Sequence, residues 1–339
     1  MFLKFRESLN DMVAKVVHNN NFYNQTRFSV VIPLYNRERY IVRTLNSVLK
    51  QTRSPEEIVV VDDGSTDAGG QLVKSTFGNK VKLIEQQNRG VSAARNAGIK
   101  ASGGDWVAFL DADDMWLPNH LEELSRQIIS FPHAGMVASN SIQLNVNAPP
   151  PERSPPGRVK QIDYLVEASK CLTIVNSSSV AIRRDVFNSI GDFKSYKYGE
   201  DLEMWARVSL HYPVAFSDSV TSIYYRGTGG AMEKLNNKSD DKKKRKIKAL
   251  PEVTPTIKML CESGVSDNES SKIYISSIIK MMVKQDILSK DIARARMLRK
   301  LMPKKRGLGF SLTLLLFLPA GLTVKIVSLR SFLREGQLL

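Results

Sequence analysis

Asp111-Ala112-Asp113-Asp114 places three carboxylates within four positions. Carboxylates this close repel one another unless a cation or a basic group neutralises them. Hard oxygen donors suit Mg²⁺ or Mn²⁺ bridging a diphosphate. The competing reading is an N-cap cluster for a helix near Leu117, where Asp is favoured, and Asp114 suits that task. Asp62-Asp63-Gly64-Ser65 has the same duality. It reads as a turn opening the next helix, with Gly64 for a tight bend. It also reads as a carboxylate accepting from a nucleobase N–H, with Tyr35 stacked on that base. Asn88-Arg89-Gly90-Val91-Ser92 leads into an Ala-rich stretch carrying Arg95. A Gly at a helix start lets backbone N–H groups approach an anion, and Arg89 and Arg95 add positive charge; for each arginine the alternative is a surface ion pair. In Gly199-Glu200-Asp201, Asp201 is either a helix N-cap or a general base beside a metal–diphosphate site, and spacing leaves both open.

These motifs need strands to present them. Phe28–Pro33, Glu57–Val61 and Trp106–Leu110 are short apolar runs, read as buried strands. Each ends in one of the polar motifs, and in open α/β sheets ligands bind at the carboxyl ends of strands. Further strands are expected at Val81–Ile84, Gly135–Ser139, Ser178–Ile182 and Val220–Tyr225. Helices are expected at Arg39–Lys50, Asp67–Phe77, Val91–Ala101, Leu117–Ser130 and Leu202–Leu210. Such alternation implies βαβ units and a mostly parallel sheet flanked by helices. Ala148–Gly157 (APPPERSPPG) reads as a mobile loop.

Charge is unevenly spread over the 339 residues. Residues 1–225 carry 25 Lys/Arg against 24 Asp/Glu, whereas residues 226–339 carry 24 against 10. The basic last third, helical from about residue 240, points to an anionic partner, with a membrane surface ahead of nucleic acid; the competing reading is a solubilising face on helices. Leu308–Val324, flanked by Lys304-Lys305-Arg306 and Lys325, is short for a span and broken by Pro319, so an interfacial or core helix is expected. The first 27 residues are read as an amphipathic extension rather than a signal peptide, because Lys4, Arg6, Glu7 and Asp11 interrupt any apolar core. Cys171 and Cys261 are too few and too distant for a disulfide framework, which suits a reducing compartment. The four histidines form no ligand-spaced pair, which excludes a usual zinc site. Walker A and GxGxxG signatures are absent.

Taken in order, FSVVIPLYNRERYIVRTLNSVLKQT, EIVVVDDGSTD, NRGVSAARNAGI, GDWVAFLDADDMWLP and GEDLEMWARV resemble glycosyltransferase family 2, over about residues 28–225. The resemblance implies a GT-A fold, a nucleoside-diphosphate sugar donor (a UDP-sugar favoured) and a divalent Mn²⁺ or Mg²⁺. It places Pro33, Tyr35 and Asp63 around the nucleobase, Asp111 and Asp113 as the metal-binding pair, and Asp201 as the base. That base would deprotonate an acceptor hydroxyl for inverting attack at the anomeric carbon. Where many members carry a His after the last strand, this chain has Thr228, so water or a mobile loop is expected to substitute for that ligand of the metal. The implied setting is cell-surface polysaccharide synthesis on a glycan or lipid-linked acceptor, at the cytoplasmic face of a membrane. A sugar-phosphate nucleotidyltransferase ranks lower, because PLYNRERY lacks a Gly-rich basic signature. A non-catalytic nucleotide-sugar-binding module is disfavoured by the intact acidic motifs. For a nucleic-acid binder, the basic run Lys242–Lys248 has no aromatic platform beside it.

Overall fold

A computed structural model describes residues 26–229, 253–288 and 291–303. The expected N-terminal helix, the run Lys242–Lys248 and Leu308–Val324 lie outside the described residues. In chain order the elements are β1 (Phe28–Leu34), α1 (Glu38–Leu49), β2 (Glu57–Asp62), α2 (Gly69–Phe77), β3 (Lys82–Glu85), α3 (Val91–Ala101), β4 (Trp106–Phe109), β5 (Met115–Trp116), α4 (His120–Ser130), β6 (Met136–Asn145), β7 (Val159–Ile162), α5 (Tyr164–Lys170), β8 (Val180–Arg183), α6 (Val186–Ile190), α7 (Glu200–Ser209), β9 (Val214–Arg226), α8 (Pro255–Glu262), α9 (Glu269–Leu288) and α10 (Ile292–Arg299). Contacts divide the chain into two units: residues 1–162 with 173–237, and residues 163–172 with 238–339.

The first unit is built on one sheet ordered β3-β2-β1-β4-β8-β6-β9-β5, with β7 also paired to β9. On one side, β1 pairs in parallel with β2 and β4, and β2 with β3. Val30, Val31, Ile32, Val59, Val60 and Val107 have no measurable exposure, as strands covered on both faces require. On the other side β8 runs antiparallel to β4 and β6, while β6 and β9 pair in parallel. The α/β class therefore stands with a mixed sheet, parallel where the apolar runs lie.

Two expected strands grow. Met136–Asn145 and Val214–Arg226 extend well beyond Gly135–Ser139 and Val220–Tyr225. The end of β6 gains Asn140, Ser141, Gln143 and Asn145, whose pairing in the sheet is not announced by an apolar run, and the start of β9 gains the short run Val214–Phe216 followed by Ser217, Asp218 and Ser219. The expected helix at Leu117 begins at His120 instead, because Met115–Trp116 first pairs with β9 and Pro118 follows. This corrects the role of Asp114. Separated from the helix by that strand, Asp114 is buried and accepts from Ser178 Oγ (2.5 Å) and the Tyr225 N–H (3.1 Å). Asn119 stands at the N-cap, without a side-chain capping bond. The Pro-rich segment forms no regular element, and its end is stitched down rather than loose. Asn119 donates to Ser154 O, Ser219 Oγ donates to Pro155 O, and a Cβ on Gly157 would meet Ser219 N at 2.2 Å.

In the second unit every described element is a helix. Asp163, Thr254 and Asp291 cap α5, α8 and α10 by accepting from Val166, Ile257 and Arg294 N–H groups. Ser277 Oγ of α9 donates to Ser169 O of α5 at 2.7 Å. Tyr274, Ile278, Met282 and Leu298 are buried. Among the described residues no helix is long and apolar enough to cross a membrane.

Candidate active site

Because β2, β1 and β4 are parallel neighbours, their carboxyl ends emerge together. Pro33 lies within β1, and the chain leaves that strand through Tyr35, an exposed aromatic (47 %), and Asn36. Asn36 is the one non-glycine residue with positive φ (+52°) among the described residues. Asn tolerates that region, and its side chain accepts from Thr66 N–H while its own N–H donates to Ser65 Oγ. The ends of β1 and β2 are thereby sewn together.

Asp63 is buried and already occupied. Its carboxylate accepts from Gln86 Nε2 (2.6 Å), Arg89 N–H (2.9 Å) and Gly90 N–H (2.8 Å). The backbone N–H groups expected to meet an anion at the start of α3 thus meet Asp63 itself. A carboxylate has about four acceptor sites, so one lone pair is left for a ligand. The Arg89 side chain is exposed.

The acidic cluster after β4 is held by two arginines. Arg95 is buried, with Nη2 on Asp111 Oδ1 (2.9 Å) and Ser177 Oγ (3.0 Å), and Nη1 on Glu200 Oε1 (2.9 Å). Burial opposes its charge, but Asp111, Glu200 and Asp201 more than offset this and hold its pKa above the usual arginine value. Arg95 is therefore no surface ion pair, and both terminal nitrogens are committed to protein acceptors. Arg37, which sequence reasoning did not single out, places Nε 3.0 Å from Asp113 Oδ2. Thr228, at the position of the missing His, also hydrogen-bonds Asp113 through its side chain. Asp113 is nonetheless pushed above the ordinary carboxylate range by burial and by Asp111, and Asp114 further by burial, Asp113 and Asp111.

Excess negative charge of this kind is what a divalent cation relieves. Among the described residues no group of three or more His, Cys, Asp or Glu is arranged to hold a metal. Mg²⁺ commonly takes only one or two carboxylates and completes its shell with substrate phosphates and water, so the Asp111–Asp113 pair fits such an ion.

Asp201 sits in the first turn of α7, whose N-cap is Gly199 at φ +77°. Its Oδ1 accepts from Leu202 N–H (2.8 Å) and its Oδ2 faces Ser177 Oγ (3.3 Å). Arg95 can only donate, so Ser177 Oγ accepts from it and turns its single proton to Asp201. Burial and the adjacent Glu200 charge raise the Asp201 pKa to about 6, with Arg95 opposing. Ser177, Ser178 and Arg37 were invisible beforehand because their partners lie tens of residues away in the chain. The capping box closed by Asn176 and Ser179 around Ser177–Ser179 is the one local signal.

Residues 29–191 match the family model described as Glycosyl transferase family 2. An uncharacterized glycosyltransferase of Nostoc sp. is 31% identical over 214 residues, covering 59% of this chain and 64% of that protein. Glycosyltransferase GlyA of Streptococcus pneumoniae is 39% identical over 121 residues, 35% of this chain and 17% of that protein. The chain thus matches less than two thirds of the length of these relatives. Among solved structures, S. aureus TarS 1–349 in complex with UDP-GlcNAc superposes with a TM-score of 0.61 at 21% identity, over 92% of both chains. The fold is GT-A. Over residues 29–191 the chain is thus similar to family 2 glycosyltransferases.

Proposed function

We propose that the chain moves a sugar from a nucleoside-diphosphate sugar, with a UDP-sugar favoured, to a hydroxyl of a glycan or lipid-linked acceptor, with inversion. The observation that carries this reading is the continuous link Asp111–Arg95–Ser177–Asp201. It ties the carboxylate beside the expected diphosphate to a carboxylate suited to proton removal. The UDP-GlcNAc in the TarS complex supports a nucleotide-sugar donor.

In this reading Tyr35 stacks on the base, Pro33 shapes that pocket, and the last lone pair of Asp63 accepts from the base. Exposed Arg89 is available to the diphosphate, whereas Arg95 acts through the carboxylates it holds. Mn²⁺ or Mg²⁺ held by Asp111 and Asp113 would supply charge stabilisation to the departing diphosphate. Asp201, with its pKa near 6, is ionised at neutral pH yet basic enough to take the acceptor proton. Ser177 keeps one Asp201 oxygen oriented, and the Leu202 N–H holds the other.

The setting in this reading is polysaccharide synthesis at the cytoplasmic membrane face, held there by the basic residues after 226. If a chain ended near residue 300 survives a carbonate wash on membranes, that attachment is refuted. The donor is tested by thermal-shift screening with UDP-, GDP-, CDP- and dTDP-sugars, with and without Mn²⁺. One metal-dependent shift is expected, and no shift with any of them refutes the function.

A further inference from the structure

Two guanidiniums serve the acidic cluster, and they are held differently. Arg95 is locked: its side chain is 3% exposed and both terminal nitrogens bind protein acceptors. Arg37 is 21% exposed, and among the described residues its guanidinium bonds Asp113 and the adjacent Asn36 carbonyl, the latter 3.1 Å from Nη1. The backbone beneath Asp113 does not depend on Arg37. Arg43 Nη2 donates to Asp113 O (2.8 Å), and Thr44 Oγ1 bonds Ala112 O (3.0 Å) and Asp114 O (2.7 Å), all from α1. Arg43 is itself stacked on the Tyr225 ring, at 3.9 Å from its centroid. The Asp113 carboxylate can therefore change partner while its main chain stays in place.

We propose that Arg37 is an exchangeable counter-cation: it occupies Asp113 when no metal is bound, yields that carboxylate to the divalent ion, and then pairs with the diphosphate. Its position supports both halves of the exchange. Arg37 follows the exposed Tyr35 by two residues and reaches the acidic cluster through Asp113, and a guanidinium matches phosphate oxygens as well as carboxylate oxygens. The exchange conserves charge balance. The cation leaving Asp113 is replaced by the metal, and the diphosphate arriving with the metal gains the freed arginine. This rests on the metal site of the proposed function.

The test is calorimetric titration of the full chain with Mn²⁺ alone and with Mn²⁺–pyrophosphate, a probe independent of the nucleobase. The variants are Arg37→Met and Arg37→Lys, with Asp113→Asn as control. In Arg37→Met the competing cation is gone, so Mn²⁺ alone is expected to bind about three- to ten-fold tighter, while Mn²⁺–pyrophosphate binds more weakly by a similar factor. Opposite signs in the two titrations are the signature, since simple damage to the site would weaken both. Should Arg37→Met prove unfolded by circular dichroism, Arg37→Lys carries the test, with the same signs and smaller changes. Unchanged or weaker Mn²⁺ binding in the folded variant overturns the exchange, while loss of Mn²⁺ binding in Asp113→Asn still upholds the metal site. Absence of Mn²⁺ binding to the unaltered protein, with or without pyrophosphate, overturns both.

Discussion

The two sides of the sheet solve different problems with different residues. The β3-β2-β1-β4 side is apolar and parallel, and it delivers Tyr35, Asp63, Asp111 and Asp113 on short contiguous motifs at strand ends. The β8-β6-β9-β5 side buries hydroxyls: Ser139, Ser178, Ser217, Thr221 and Ser222 all lie at 1% exposure or less. Around them His120 stacks on Trp116 (4.3 Å between ring centroids) and shares a hydrogen bond with Thr221 Oγ1 (2.8 Å). The second side, with the Ser177 turn and α7, contributes Ser177, Thr228 and Asp201, which reach the acidic cluster only through tertiary contact. In the proposed function, charge and recognition come from local motifs, and proton handling comes from assembled polar groups.

That division can be broken most sharply at Asp201. Asp201→Asn should cut transfer by about 10³-fold while leaving donor affinity within about twofold, since general base catalysis is worth 10²–10⁴. Steady-state kinetics with donor titration checks this, and retained turnover removes Asp201 from the role. Next comes Arg95, which joins the two sides. Arg95→Met leaves Asp111 and Glu200 without their buried partner, so a loss of about 3 kcal/mol in chemical denaturation is expected. A loss below about 0.5 kcal/mol, the usual size for surface pairs, would make the link incidental.

The hydroxyl-rich side should also declare itself in pH dependence. Burial lowers the folded His120 pKa from 6.5 to about 3. The unfolded chain therefore binds the proton more tightly, and stability from this group is lost as pH falls below 6.5 toward 3. At pH 5 the loss is about 2 kcal/mol, and His120→Phe should flatten that part of the Tm–pH profile. An identical acid limb in the variant would show that other groups carry it. The smallest expected effect is at Ser177. Ser177→Ala should lower kcat about ten-fold with donor KM unchanged, the lower end of what one hydrogen bond to a charged group is worth. The acid limb of the rate profile, centred near pH 6, should move upward, and Ser177→Thr should restore both.

Much of the parallel side was legible. Runs such as EIVVV are long enough and apolar enough that only a buried strand satisfies them, and the polar motifs after them mark the ligand edge. Two features misled. Asp114 reads as a helix cap because Leu117 begins a periodic pattern, yet a two-residue strand intervenes and turns that carboxylate inward. Arg95 reads as a ligand for an anionic substrate, yet it spends its terminal nitrogens on Asp111, Glu200 and Ser177. An arginine three residues after a serine looks the same on the page whether its partner is a phosphate or a distant carboxylate.

The sequence by itself determined the strand–helix alternation, the order of acidic motifs and the charge asymmetry, because each depends on residues near one another in the chain. Only the tertiary structure decided which carboxylate meets which guanidinium, that Thr228 touches Asp113, and that Ser177 joins Arg95 to Asp201. Those contacts span from 16 to more than 100 positions in the chain. Hydrogen bonds and ion pairs act over a few ångströms and carry no periodicity, so such partners become known only when the sheet has closed.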